Sequence, residues 1–89
     1  NMGFRVTLGI IPDYSSNSDG LSITGVKTGS AGEQAGLQAG DVITKMGDFE
    51  IKNIYDYTDA LSRFKPGEET ILKIKRGSDE LTLNVTFKK

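Results

Sequence analysis

A mostly β fold carrying two helices, α+β in class, is predicted by three observations on this 89-residue chain. Apolar and polar residues alternate in several short runs, the period-two pattern of strands with one face inward. Two stretches carry helix-start chemistry instead, Ser30 with Glu33 and Asn53 with Asp56. Turn chemistry divides the runs: Gly47-Asp48, Pro66-Gly67, and Arg76-Gly77-Ser78-Asp79.

The first strand is expected from Phe4, where Phe4, Val6, Leu8 and Ile10 alternate with Arg5, Thr7, Gly9 and Ile11 and Gly9 interrupts the run. Residues 13 to 20 are a polar loop whose Ser, Asn and Asp side chains can bond their own backbone. Ser15, Asn17, Asp19 and Gly20 faintly echo a calcium loop, but Val26 stands where the bidentate Glu belongs and Ser15 where the first ligand belongs, so a plain connecting loop is the better reading. Leu21 to Val26 alternates as a second strand. A short helix should begin at Ala31 behind the Ser30/Glu33 capping box. Gly36 and Gly40 can take positive φ, ending that helix and turning the chain around an interior Leu37 before Asp41. Val42, Ile43 and Met46 belong to a strand that turns at Gly47-Asp48, a glycine-first hairpin turn, toward Phe49 and Ile51.

The longer helix is expected from the Asn53 cap to about Phe64. Ile54, Tyr57, Leu61 and Phe64 form an amphipathic stripe, and Pro66-Gly67 blocks continuation. Thr70 to Lys75 and Leu81 to Phe87 close the chain as a hairpin.

Composition excludes several function classes. A chain of this length is one domain able to bury about 60 to 65% of its unfolded surface. With no cysteine and no histidine, disulfides, thiol catalysis and imidazole-based triads are impossible, and the usual zinc ligands are missing. Twelve acidic and eleven basic residues are interspersed, leaving a net charge of -1 and no field suited to nucleic acid. No apolar run approaches the roughly 18 residues of a membrane span. The carboxylate pairs Glu68-Glu69 and Asp79-Glu80 have no desolvating surround in the pattern and read as solvated surface rather than acid and base. The chain opens Asn-Met, as expected of a domain cut from a longer protein.

From Ser30 to Gly47 the pattern Ser-Ala-x-x-x-Ala-Gly-Leu-x-x-Gly-Asp-Val-Ile-x-x-x-Gly resembles the central signature of bacterial PDZ domains, and the likeness extends from Leu8 to about Phe87. Such domains accompany HtrA-type serine proteases, tail-specific proteases, site-2-type membrane proteases and certain bacterial zinc aminopeptidases. The resemblance implies a partly open antiparallel β-barrel or sandwich capped by one short and one longer helix. It implies that residues 1–89 are a single PDZ domain of a longer peptidase and that the compartment is extracytoplasmic. It places Thr7, Leu8, Gly9 and Ile10 in a carboxylate-binding loop, with the amides of Leu8, Gly9 and Ile10 turned into an anion nest. Leu-Gly-Ile alone reads as a strand with a glycine bulge; its place ahead of the Ser30 block is what favours the nest. Arg5 is an auxiliary charge or a solvated strand-face residue.

By the same resemblance Ile54, Thr58 and Leu61 line a groove while Tyr57 and Phe64 face inward, and Ile54 stands where a ligand-binding family histidine sometimes does, which points to apolar selection. The tight turn that usually carries Asn-Gly in the family is Gly47-Asp48 here. Pro12 lies on the strand that would pair with a peptide and has no N–H to offer.

Two functions follow as expectations. The first is a non-catalytic module that captures a protein C-terminus or extended peptide and serves a linked peptidase. The second is a structural or regulatory docking domain that binds little peptide itself. Leu8-Gly9-Ile10-Ile11-Pro12-Asp13-Tyr14 resembles the opening of PDZ domains on zinc aminopeptidases. In that case any zinc belongs to a catalytic domain outside these residues. No cofactor is expected in the domain, and neither nucleic acid nor membrane as a partner. Catalysis by this chain has no candidate, because a serine without histidine or a placed lysine is only a hydroxyl.

Overall fold

The computed structural model describes residues 7–13 and 20–87. Among these residues six strands and two helices follow one another: β1 (Ile10–Pro12), β2 (Leu21–Val26), α1 (Ala31–Ala35), β3 (Val42–Met46), β4 (Phe49–Glu50), α2 (Ile54–Leu61), β5 (Glu69–Arg76) and β6 (Asp79–Thr86). All pairings are antiparallel, in the order β1-β2-β3-β5-β6, with β4 also on β3. The sheet is not closed. The mostly β, two-helix, PDZ-like fold expected from the sequence is the one observed.

Local chemistry accounts for the short elements. Ser30 Oγ accepts the Glu33 amide at 3.2 Å, and Glu33 Oε1 reaches back to the Gly29 amide at 2.7 Å, so the capping box closes one residue further upstream than the ideal pattern. Gly36 then takes φ 104° and ends α1. Asn53 Oδ1 accepts the Asp56 amide at 2.9 Å to open α2.

Two expectations are corrected. Helix α2 ends at Leu61, not near Phe64. Its last turn tightens through Arg63 N–H to Ala60 C=O and Phe64 N–H to Leu61 C=O. This swings Phe64 edge-on to Phe49, with centroids 6.1 Å apart, and onto Phe87 at 5.1 Å. Among the described residues, the first strand, expected from Phe4, is regular over Ile10–Pro12, and residues 7–9 are loop. Phe4, Arg5, Val6 and the stretch 14–19, with its calcium-loop echo, lie outside the described residues.

The core is built from alternate strand positions and the inner helix face: Leu8, Ile23, Ile43, Met46, Ile51, Leu72, Ile74, Val85 and Phe87 are fully buried, with Leu37 and Tyr57 nearly so. Asp41 lies among them. Arg76 donates to it through Nε and Nη2, both at 2.8 Å, and the Gln38 amide adds a third bond at 2.9 Å. The same guanidinium reaches the Gly36 carbonyl at 2.9 Å, tying the end of α1 to the end of β5.

Candidate functional site

The loop before β1 is shaped by where its carbonyls are held. Leu8 C=O accepts the Gly32 amide at 2.9 Å, and Gly9 C=O accepts the Lys27 amide at 2.8 Å. The peptide bonds are trans, so each C=O points opposite to the N–H of the next residue. The Gly9 N–H is therefore turned away from α1, and the Ile10 N–H away from β2. Gly9 sits at φ 70°, the left-handed conformation from which successive amides form an anion-binding concavity. A side chain is doubly excluded there, because a Cβ on Gly9 would stand 2.4 Å from Ser30 Cβ. The capping serine of α1 is thus also the wall against which the loop glycine packs.

The β1–β2 register carries this outward. Ile10 pairs with Val26, Ile11 with Gly25 and Pro12 with Ile23, leaving Thr24 as the extra residue of a bulge. The Asp13 amide bonds Ser22 C=O at 2.9 Å. The Gly9 carbonyl and the backbone groups of residues 11 and 13 therefore face β2, while those of 10 and 12 face the open edge. Pro12 occupies an edge-facing position, where its missing N–H leaves no gap in the β1–β2 ladder.

Helix α2 meets the loop through Tyr57, whose hydroxyl accepts the Leu8 amide at 3.3 Å in the interior. Of the three amides expected to form the nest, the Leu8 N–H is therefore directed to an internal partner, and Gly9 and Ile10 are the two that face outward. The Gly9 amide is met by the side chain of Thr7, whose Oγ1 lies 3.1 Å away. Burial pushes the Tyr57 phenol above its ordinary value, against the opposing pull of the Leu8 amide and the Thr7 side chain.

On the same helical face as Tyr57, Ile54 and Leu61 are half-buried against the core and Thr58 is exposed, its hydroxyl bonding Ile54 C=O at 2.9 Å. Phe64 is half-buried between two aromatic rings rather than wholly interior. Arg5 lies outside the described residues. Lys27, whose amide bonds Gly9 C=O and whose Cβ lies beside Gly9, is a neighbour of the loop that the sequence pattern does not single out. The sequence pattern marks Tyr57 only as core, since nothing local links it to Leu8, 49 positions away.

A concavity of about 680 Å³ lies away from this loop, on the outer side of β3, β4 and β5, lined by Lys45, Phe49, Phe64, Ile71 and Lys73 among others. Among the described residues, no group of three metal-ligating side chains comes together, and no helix is long and apolar enough to cross a membrane.

The PDZ domain family profile matches residues 6–87. This chain belongs to the PDZ family. It is 32% identical over 78 residues to a serine protease HTRA1 of Xenopus tropicalis, covering 88% of this chain and 16% of that protein. It is 34% identical over 67 residues to a probable periplasmic serine endoprotease, DegP-like, of Chlamydia trachomatis, covering 75% and 14%. Among solved structures it resembles an aminopeptidase N family protein from Idiomarina loihiensis, with TM-score 0.84 and 25% identity over 96% of this chain and 14% of that one. It also resembles the HtrA-type protease AlgW with a decapeptide, with TM-score 0.85 and 20% identity over 96% and 29%. This PDZ chain spans about one sixth of the curated relatives it matches.

Proposed function

We propose that this PDZ domain is a non-catalytic module that captures a free C-terminal carboxylate, or the end of a short extended segment, between β1 and α2. In this reading it serves substrate recognition or regulation of a linked peptidase. One observation carries the proposal: the Gly9 and Ile10 amides turn outward together because the carbonyls before them are held by α1 and β2. An anion accepting two such N–H groups needs no catalytic side chain. PDZ domains bind peptides by adding a strand to a sheet edge, and the edge-facing positions of β1 are the place for it here. Ile54, Thr58 and Leu61 form the wall that selects the last side chain, apolar by its lining. Pro12 limits the added strand to the peptide's final residues, so recognition is short and centred on the carboxylate.

The relatives are proteases and a structural neighbour is an aminopeptidase, which supports a peptidase parent. The DegP-like relative, named as periplasmic, supports an extracytoplasmic setting. A second reading, a docking domain with little peptide affinity, is favoured by Pro12 and by the likeness to the aminopeptidase N family protein, where any zinc would lie in a separate catalytic domain.

Titration of the domain with peptides ending in a free aliphatic residue, beside the same peptides amidated at the C-terminus, separates the two. Peptide capture predicts binding that depends on the free carboxylate. Equal binding, or none, favours the docking role.

A further inference from the structure

We propose that Thr7 is a resident cap on the anion nest, its hydroxyl oxygen standing where a ligand carboxylate oxygen would take the Gly9 amide. The inference rests on the peptide-capture reading and concerns the state of that site before ligand arrives.

The two hydroxyl contacts at the loop differ in kind. The bond from the Leu8 amide to Tyr57 is buried, fixed by a ring that is nearly fully enclosed, and it anchors the loop to α2. The bond from the Gly9 amide to Thr7 Oγ1 is only partly buried, and Thr7 itself is exposed. Thr7 can therefore rotate about χ1 and release the amide without disturbing the core. The amide that the backbone turns outward is thus met by an oxygen acceptor of the protein's own, at 3.1 Å. A carboxylate is the stronger acceptor and can displace it, but each binding event must first break the resident bond. Thr7 is in this account a positioning and affinity-setting residue, and the Ile10 amide is the uncapped half of the nest.

The test compares the domain with Thr7→Val, which keeps the shape and removes the acceptor, and Thr7→Ser, which keeps the acceptor. Calorimetric titration uses a peptide ending in a free aliphatic residue and its amidated form. Thr7→Val should bind the free-acid peptide roughly 2- to 10-fold more tightly, the span of one net hydrogen bond, with the amidated peptide unchanged and Thr7→Ser like the parent. In the ligand-free protein, the temperature coefficient of the Gly9 amide proton should be shallow, as for a bonded amide, and steepen in Thr7→Val. A steep coefficient in the parent protein, or no gain for Thr7→Val, overturns the cap. If free acid is preferred throughout but Thr7→Val gains nothing, the cap alone fails. If neither protein distinguishes free acid from amide, peptide capture fails with it.

Discussion

Asp41 has its side chain in the interior, where an unpaired carboxylate would be costly. Burial pushes its carboxyl up, but the Arg76 guanidinium and the Gln38 amide together hold it below its ordinary value. The sign of the linkage follows. The group contributes stability that is fully present above the unfolded value near 4 and is lost as pH falls through the lower folded value. Asp41→Asn should cost about 1.5 to 3 kcal/mol at neutral pH, as expected for losing hydrogen bonds to a charged group. It should also flatten the acid limb of a plot of Tm against pH. Thermal melts between pH 2 and 7 check both. Tyr57 works the other way: its phenol is raised, so its contribution is intact below about pH 10 and declines above it. Neither Asp41 nor Tyr57 could be assigned its partner from the sequence. The partners are 35 and 49 positions away, and no local pattern encodes a pairing closed only by the fold.

At the scale of elements, what was legible is what is encoded within four or five residues. The Ser30 and Asn53 caps, the left-handed Gly36 and the strand Leu21–Val26 appear where local chemistry puts them. The end of α2 is not legible in the sequence, because the stripe Ile54, Tyr57, Leu61, Phe64 continues past the point where the backbone leaves the helix, and Phe64 is drawn instead between Phe49 and Phe87. The loop at Leu8-Gly9-Ile10 was readable as glycine-permitted geometry. Its orientation was not, since that depends on Gly32 and Lys27 donating from other elements. Strand β1 yields the prediction proper to this scale. With the edge-facing position of Pro12 restored as a donor, Pro12→Ala should strengthen binding of peptides long enough to reach it by about 0.5 to 1.5 kcal/mol and leave the shortest ligands unaffected. Titrating a peptide series of increasing length distinguishes this from a general change in the domain.

The whole molecule divides its labour between a sheet that is left open and two helices that hold the open edge in shape. Arg76 and Asp41 join the β5 end to the chain leaving α1, and Gly32 in α1 holds Leu8 C=O. The hairpin farthest from the site in sequence is thus connected through α1 to the loop that would hold a ligand. The concavity on the outer side of β3 to β5, with Ile71 exposed at 47% of its surface, is the competing surface on the same molecule. A two-dimensional amide spectrum recorded during titration with a peptide ending in a free aliphatic residue tests the central claim most directly. The account predicts the largest shifts at Gly9 and Ile10, with smaller ones along Ile54, Thr58 and Leu61. Shifts centred on Phe49, Ile71 and Lys73, or a spectrum indifferent to the free carboxylate, would contradict it.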